Sequence, residues 1–200
     1  MCVHLTFQYE TATQALNYLA GKAGGSLNKL KALKLIFFAD RYHLRKYGRP
    51  ITGDEYLAMT YGPVASSVKD IAEMSSFLDA KVAGYAKHFI KPVNKNYFRS
   101  VAAVDTDQLS QTDIEALDFA WNNFGGFGQF DLAEISHAYP EWKRHESALK
   151  HVANVRMDYI DFLDDPPADC DPCFSLTADD KEVVADMLRE KSEIARLMLG

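Results

Sequence analysis

Acid–base chemistry needs carboxylates and imidazoles held close together, and the chain gathers such groups in one stretch, Phe37 to Val64, FFADRYHLRKYGRPITGDEYLAMTYGPV. Asp40, His43 and Asp54 lie within it, and with His137 they are the residue types of a general acid–base set. The same stretch supports a second chemistry. Its Tyr and Arg side chains, spaced by Gly-Pro turns, are the types enriched in protein-binding hot spots. The motifs that would favour catalysis are missing. There is no Gly-x-Gly-x-x-Gly after a strand, no P-loop lysine motif and no Gly-x-Ser-x-Gly elbow, and GGFG after Phe124 sits at a helix end. No catalytic residue is therefore assigned, and an enzyme using Asp40 and His137 remains only as an alternative.

The cysteines add little. Cys2, Cys170 and Cys173 are an odd number, and Cys170-Asp171-Pro172-Cys173 follows the loop DDPPAD rather than opening a helix after a strand, which disfavours a redox pair. A tetrahedral zinc would need two further ligands, for which His137, His145 and His151 are candidates, but there is no second Cys-x-x-Cys. The motif reads as a turn with two thiols, and neither a metal nor another cofactor is expected.

At 200 residues, with 48% hydrophobic and 25% charged residues, the chain has the composition of an ordinary globular domain with a sizeable core. Its net charge of −6 disfavours general nucleic-acid binding, which depends on neutralising phosphates, and suits a basic partner. No apolar run approaches the roughly 20 residues that span a bilayer, and the first ten residues lack a signal-peptide pattern, so a cytoplasmic protein without membrane contact is expected.

The elements that must position these residues are mostly helices. Helical periodicity runs from Thr11 to Lys22, stopped by Gly24-Gly25, and from Leu27 to Tyr47, ended by Gly48 and Pro50. Tyr56 to Tyr61 reads as a short strand, and Gly62-Pro63 turns into a third helix, Val64 to Leu78, with Pro63 in its first turn. YAKHFI and YFRSVAAV read as a hairpin around PVNKN, completing a small antiparallel sheet with Tyr56 to Tyr61. Ser110-x-x-Asp113 caps a helix ended by GGFG. Asp131-x-x-Glu134 starts another that breaks at Tyr139-Pro140, and Thr177-x-x-Asp180 caps a last one with its apolar face at Val183, Met187, Ile194, Leu197 and Met198. The fold class expected is mainly α with a small antiparallel β-sheet, divided into residues 1–163 and a loop-and-helix appendage, 164–200.

On the second helix, about 100° per residue places Leu33, Ile36, Phe37, Leu44 and Tyr47 on one arc with Asp40 inside it. A carboxylate on an apolar face must be paired, hydrogen-bonded or protonated, and Tyr61, His137 and nearby arginines are its candidate partners. An adjacent arc of roughly 80° carries Lys31, Lys34, Arg41 and Arg45, a basic stripe beside Tyr42. His137 and Trp142, in SHAYPEWKRH, read as a core clamp in which the histidine donates and the indole fills a pocket.

LNKLKALKLIFFADRYHLRKYGRPITGDEYLAMTYGPVASSV, followed by LAEISHAYPEWKR, resembles the Panacea family of antitoxin domains, SocA-like and GepA-like proteins found beside diverse toxins. The likeness covers most of Thr11 to Arg144, with Phe38 where the family commonly carries Tyr. It transfers the family signature to Asp40, Arg41, Tyr42, Gly53, Tyr61, Gly62, Pro63, Val64, Ser136, His137 and Trp142. It implies a type II antitoxin that neutralises, by direct contact, a protein toxin encoded by an adjacent gene, with alarmone-synthetase-like translation inhibitors among the possible toxins. A protease adaptor or a regulator of the toxin operon is the alternative. Asp40, Gly62, Pro63, His137 and Trp142 are expected to support the fold. Arg41, Tyr42, Arg45, Tyr61 and Lys34 are expected on the exposed, toxin-binding side, with homo- or hetero-oligomer contacts through the last helix.

Overall fold

A computed structural model describes residues 3–167 and 175–199. In chain order the elements are α1 (Tyr9–Lys22), β1 (Ser26–Asn28), α2 (Lys29–Tyr47), β2 (Tyr56–Met59), β3 (Gly62–Ala65), α3 (Ser66–Glu73) and α4 (Ala80–Phe89). They continue with β4 (Ile90–Pro92), β5 (Tyr97–Ser100), α5 (Gln111–Phe124), α6 (Gln129–Ser136), α7 (Pro140–Lys143), β6 (Asn154–Arg156) and α8 (Ala178–Leu199). The mainly helical fold class with small antiparallel sheets is the one expected.

Helix α2 forms the axis of the protein. Asn28 Oδ1 accepts from the Lys31 amide at its start, and Gly48 takes a left-handed φ of +70° at its end. Helices α1, α3, α5 and α6, strand β3 and a 3-10 turn at Tyr159–Leu163 all pack on it. From Ala32 to Arg45 every residue but Tyr42 is buried, Lys34, Asp40, Arg41 and Arg45 included. The basic stripe therefore does not face solvent. Helical arithmetic places residues around an axis, but it does not reveal that other elements surround the helix.

The strands form two sheets. One has the order β1-β5-β4, with Leu27 opposite Phe98; the other is β3-β2-β6, with Leu57 opposite Val64 and Ala58 opposite Val155. The hairpin thus pairs with β1 rather than with Tyr56–Met59. Its first strand is also shorter than expected, because Tyr85–Phe89 belongs to α4, which Asp79 caps through the Lys81 amide (2.7 Å). Pro63 lies in β3 opposite Ala58, so α3 starts later, at Ser66, and stops earlier, at Met74 with φ +49°. Asp131 caps α6 from inside its first turn, accepting from the Gly128 amide at 3.1 Å. The Ser110–Asp113 and Thr177–Asp180 capping pairs form as read.

Helix α8 turns a different face inward from the one expected. Val184, Ala185, Leu188, Ser192 and Ala195 are buried, and Ser192 Oγ accepts from the His4 amide at 2.9 Å. Val183, Ile194 and Leu197 are exposed and Met187 is partly covered beside Gly48, while the Met198 side chain, like Cys2, Cys170 and Cys173, lies outside the described residues. The inner face is made mostly of small residues around Leu188.

The β2–β3 turn depends on Gly62, whose φ is +89° and whose missing Cβ would lie 2.2 Å from Ser136 Oγ and 3.0 Å from Lys34 Nζ. Gly62→Ala is expected to lower stability in urea denaturation by about 1–3 kcal/mol through backbone strain and this clash, with helix content by circular dichroism retained.

Candidate functional site

The Asp40 carboxylate is fully buried and saturated with donors. Oδ1 accepts from the Ile51 and Thr52 amides (2.7 and 3.0 Å), and Oδ2 from Thr52 Oγ1 and the Tyr56 hydroxyl (2.6 and 2.9 Å). A tyrosine was among the expected partners, but it is Tyr56, not Tyr61, and neither His137 nor an arginine takes part. The four donors come from the segment after Gly48, so the carboxylate ties that loop and β2 to the central helix. Burial pushes the Asp40 carboxyl up to about 6, and the donors pull it back only in part.

Asp54 repeats the pattern: its carboxylate accepts from the Glu55 and Val68 amides, both at 2.8 Å, which fixes the start of α3. His43 Nδ1 lies 2.7 Å from the Arg49 carbonyl and must donate to it, which leaves Nε2 to accept from Thr112 Oγ1 at 2.9 Å. Burial lowers its pKa, favouring this neutral ring. None of Asp40, His43, Asp54 and His137 hydrogen-bonds another, so they form no acid–base relay. The bonding capacity of Asp40, His43 and Asp54 goes into loops and helix ends.

Arg41 and Arg45, expected at the surface, are 2% exposed and clamp the chain that follows the last sheet. Arg41 pairs with buried Glu141 (2.9 Å), lies over the Tyr139 ring and donates to the Asp164 carbonyl (2.8 Å). Arg45 donates to the Leu163 carbonyl (2.8 Å) and pairs with Asp165, which also holds Lys181 of α8 at 3.0 Å. Burial raises the pKa of Glu141 against the pull of Arg41. Tyr42 is half-buried, stacked on Phe119 (4.1 Å), and donates to Glu115 at 2.6 Å. Lys46 and Tyr47 converge on the same carboxylate at 2.6 Å each, and their hydrogen bonds lower Glu115 to about 2. Glu115 escaped the sequence reading because it sits on a different helix.

Tyr61 does stand out in solvent, at the tip of the β2–β3 turn, and three contacts hold that turn. Lys34 Nζ donates to the Pro63 carbonyl (2.6 Å), Trp142 Nε1 donates to the Met59 carbonyl (2.9 Å), and Ser136 packs against Gly62. Burial lowers Lys34 to about 7. His137 stacks on the indole at 3.8 Å and hydrogen-bonds the Thr60 backbone, so both rings of the expected clamp hold this turn. The Tyr61 ring meets Phe130 of α6 at 6.1 Å, and the two exposed rings stand at the edge of a groove of about 860 Å³. Leu30, Leu33, Met59 and Val64 line the groove, with Lys29, Lys69 and Lys95 around it. Phe130 was not singled out in the sequence, because its partner Tyr61 is distant along the chain.

These features describe a mainly helical α+β domain with a set of charged side chains sealed inside and an aromatic-edged groove on its surface. The chain belongs to the SocA-like antitoxin family: the family model for the SocA-like antitoxin, Panacea domain, matches residues 33–143, more than half of its length. Membership supports an antitoxin role, a regulatory rather than enzymatic one, with a protein toxin as the general kind of partner. The match takes in Asp40, the Tyr61 turn and Trp142. No curated protein and no solved structure matches the chain. Among the described residues no helix is long and apolar enough to cross a membrane, and no three metal-ligating side chains group together.

Asp40→Asn is expected to cost about 1–3 kcal/mol in urea denaturation, because the amide turns a donor toward Thr52 or Tyr56. It also has a pH signature. The folded carboxyl holds its proton to about pH 6 and the unfolded one only to its ordinary value of 3.8, so wild-type stability falls as pH rises between these values; the Asn variant lacks this fall. Arg41→Met leaves Glu141 buried without its partner and is expected to cost about 3–5 kcal/mol by the same measurement, with Glu141→Leu in the same chain restoring most of it.

Proposed function

We propose that the chain is the antitoxin of a type II toxin–antitoxin pair that neutralises a cognate protein toxin by direct binding, and that the toxin seats on the groove edged by Tyr61 and Phe130. The family match carries this reading. Its location rests on the exposed ring pair, since large aromatic side chains beside a concave apolar floor are where binding energy concentrates. Of the residues first read as toxin-facing, Tyr61 keeps that role. Tyr42 is held by Glu115, and Lys34, Arg41 and Arg45 act beneath the surface by fixing the turn and the clamped segment. A binding role also suits the titratable groups, since the Asp40 carboxylate and the His43 imidazole are already engaged in holding loops.

The toxin encoded by the adjacent gene, co-expressed with this chain, tests the reading. The wild type is expected to rescue growth and to co-purify with the toxin. The double variant Tyr61→Asp, Phe130→Asp should lose at least about tenfold in toxin affinity while its urea midpoint stays within error, because both side chains are exposed. Wild type that neither rescues nor co-purifies would end the proposal.

A further inference from the structure

Helix α8 has a second apolar stripe that folding uses only in part, through Met187 beside Gly48. Val183, Met187, Ile194 and Leu197 are 59%, 38%, 46% and 83% exposed, while the helix is already docked on the body through Leu188 and its small neighbours. Their spacing of 4, 7 and 3 residues keeps them on one narrow stripe about 21 Å long, the seam geometry of a helix that packs against another helix. A helix face needed only for contact with water has no requirement for four large apolar side chains in register.

Apart from Lys191, which donates to the Gly48 carbonyl, the charges beside the seam that lack an ion pair are acidic. Glu190 lies within the stripe, and Glu182, Asp186 and Glu193 run along one flank. None of the ion pairs described for the helix involves Glu182, Glu190 or Glu193. The basic residues of the helix are largely engaged: Lys181 pairs with Asp165, Lys191 donates to the Gly48 carbonyl, and Arg189 pairs with Asp186. On the other flank Ile194 lines a hollow of about 440 Å³ together with Leu5, Pro50 and Ile51, a concavity for a side chain of whatever lies on the seam.

We infer that this seam docks a helix of a second protein, one with an apolar stripe flanked by lysine or arginine. On the antitoxin reading, on which this assignment of the partner rests, the helix belongs to the toxin. Charge complementarity selects the occupant. Two copies of α8 paired antiparallel about Glu190 would bring the two Glu190 carboxylates together in the middle of an apolar interface, which disfavours self-association. A basic helix instead neutralises Glu190 and the acidic flank. The seam lies outside the family match, so it adds a contact that the shared domain does not supply.

The probe is a synthetic helix of about 20 residues with leucine at alternating third and fourth positions and lysines on its flanks, beside a control carrying glutamate in place of lysine. The full chain is expected to bind the lysine peptide with an affinity that falls as salt rises. Binding should weaken at least about tenfold in Val183→Ser, Ile194→Ser and in Glu190→Lys, with unchanged circular dichroism. Equal binding of the glutamate peptide, absence of binding, or indifference to the seam substitutions would overturn the inference. So would a dimer in sedimentation that Ile194→Ser dissolves, since a second copy would then be the occupant. Peptide binding by a chain that fails to neutralise the toxin would leave the seam standing and remove the antitoxin reading. Neutralisation without peptide binding would do the reverse.

Discussion

The carboxylate of Asp40 is the constraint on which the rest depends. A buried charge is stable only when hydrogen bonds replace the water it has lost, and here all four donors come from one segment, Ile51 to Tyr56. Meeting that requirement fixes the path of the chain after Gly48. It sets where β2 begins and, through Asp54 and the Val68 amide, where α3 begins. The sheet that carries the Tyr61 turn is therefore positioned from inside the central helix.

Two further charged side chains of the same helix organise the other side. Arg41 and Arg45 gather the carbonyls of Leu163 and Asp164 and the carboxylates of Glu141 and Asp165, which brings the segment before α8 against α2. Asp165 passes the connection on to Lys181. Lys34, one turn of helix nearer the start of α2 than Phe38, holds the Pro63 carbonyl beneath the groove. The charged groups of α2 thus act as internal anchors, and the surfaces open to a partner lie on the elements they anchor.

The elements whose determinants are local were legible in the sequence. Gly48 ends α2 and Ser110 with Asp113 starts α5, because a cap satisfies backbone groups within one turn of itself. The anomaly of Asp40 was also visible, as a carboxylate at an apolar position. Its partner was not, since a donor on a loop after the helix leaves no periodic trace. The same limit hid Phe130, which meets Tyr61 only after the chain has turned through β3, α3, α4 and α5. Helix α8 shows a different failure. It carries two apolar stripes, and the stripe with the larger side chains looked like the buried one, whereas the one with smaller residues is buried.

The sequence by itself determined the family, the predominance of helix and the presence of a charged group that had to be compensated inside the protein. These follow from short-range patterns, in which one residue constrains the next few. The tertiary structure alone decided that the arginines face inward, that the β-strands divide into two sheets, and that an aromatic pair and an acidic seam remain outside. Each of those outcomes depends on which elements surround a given face, and burial is a property of the assembled neighbours rather than of the helix that carries the residue.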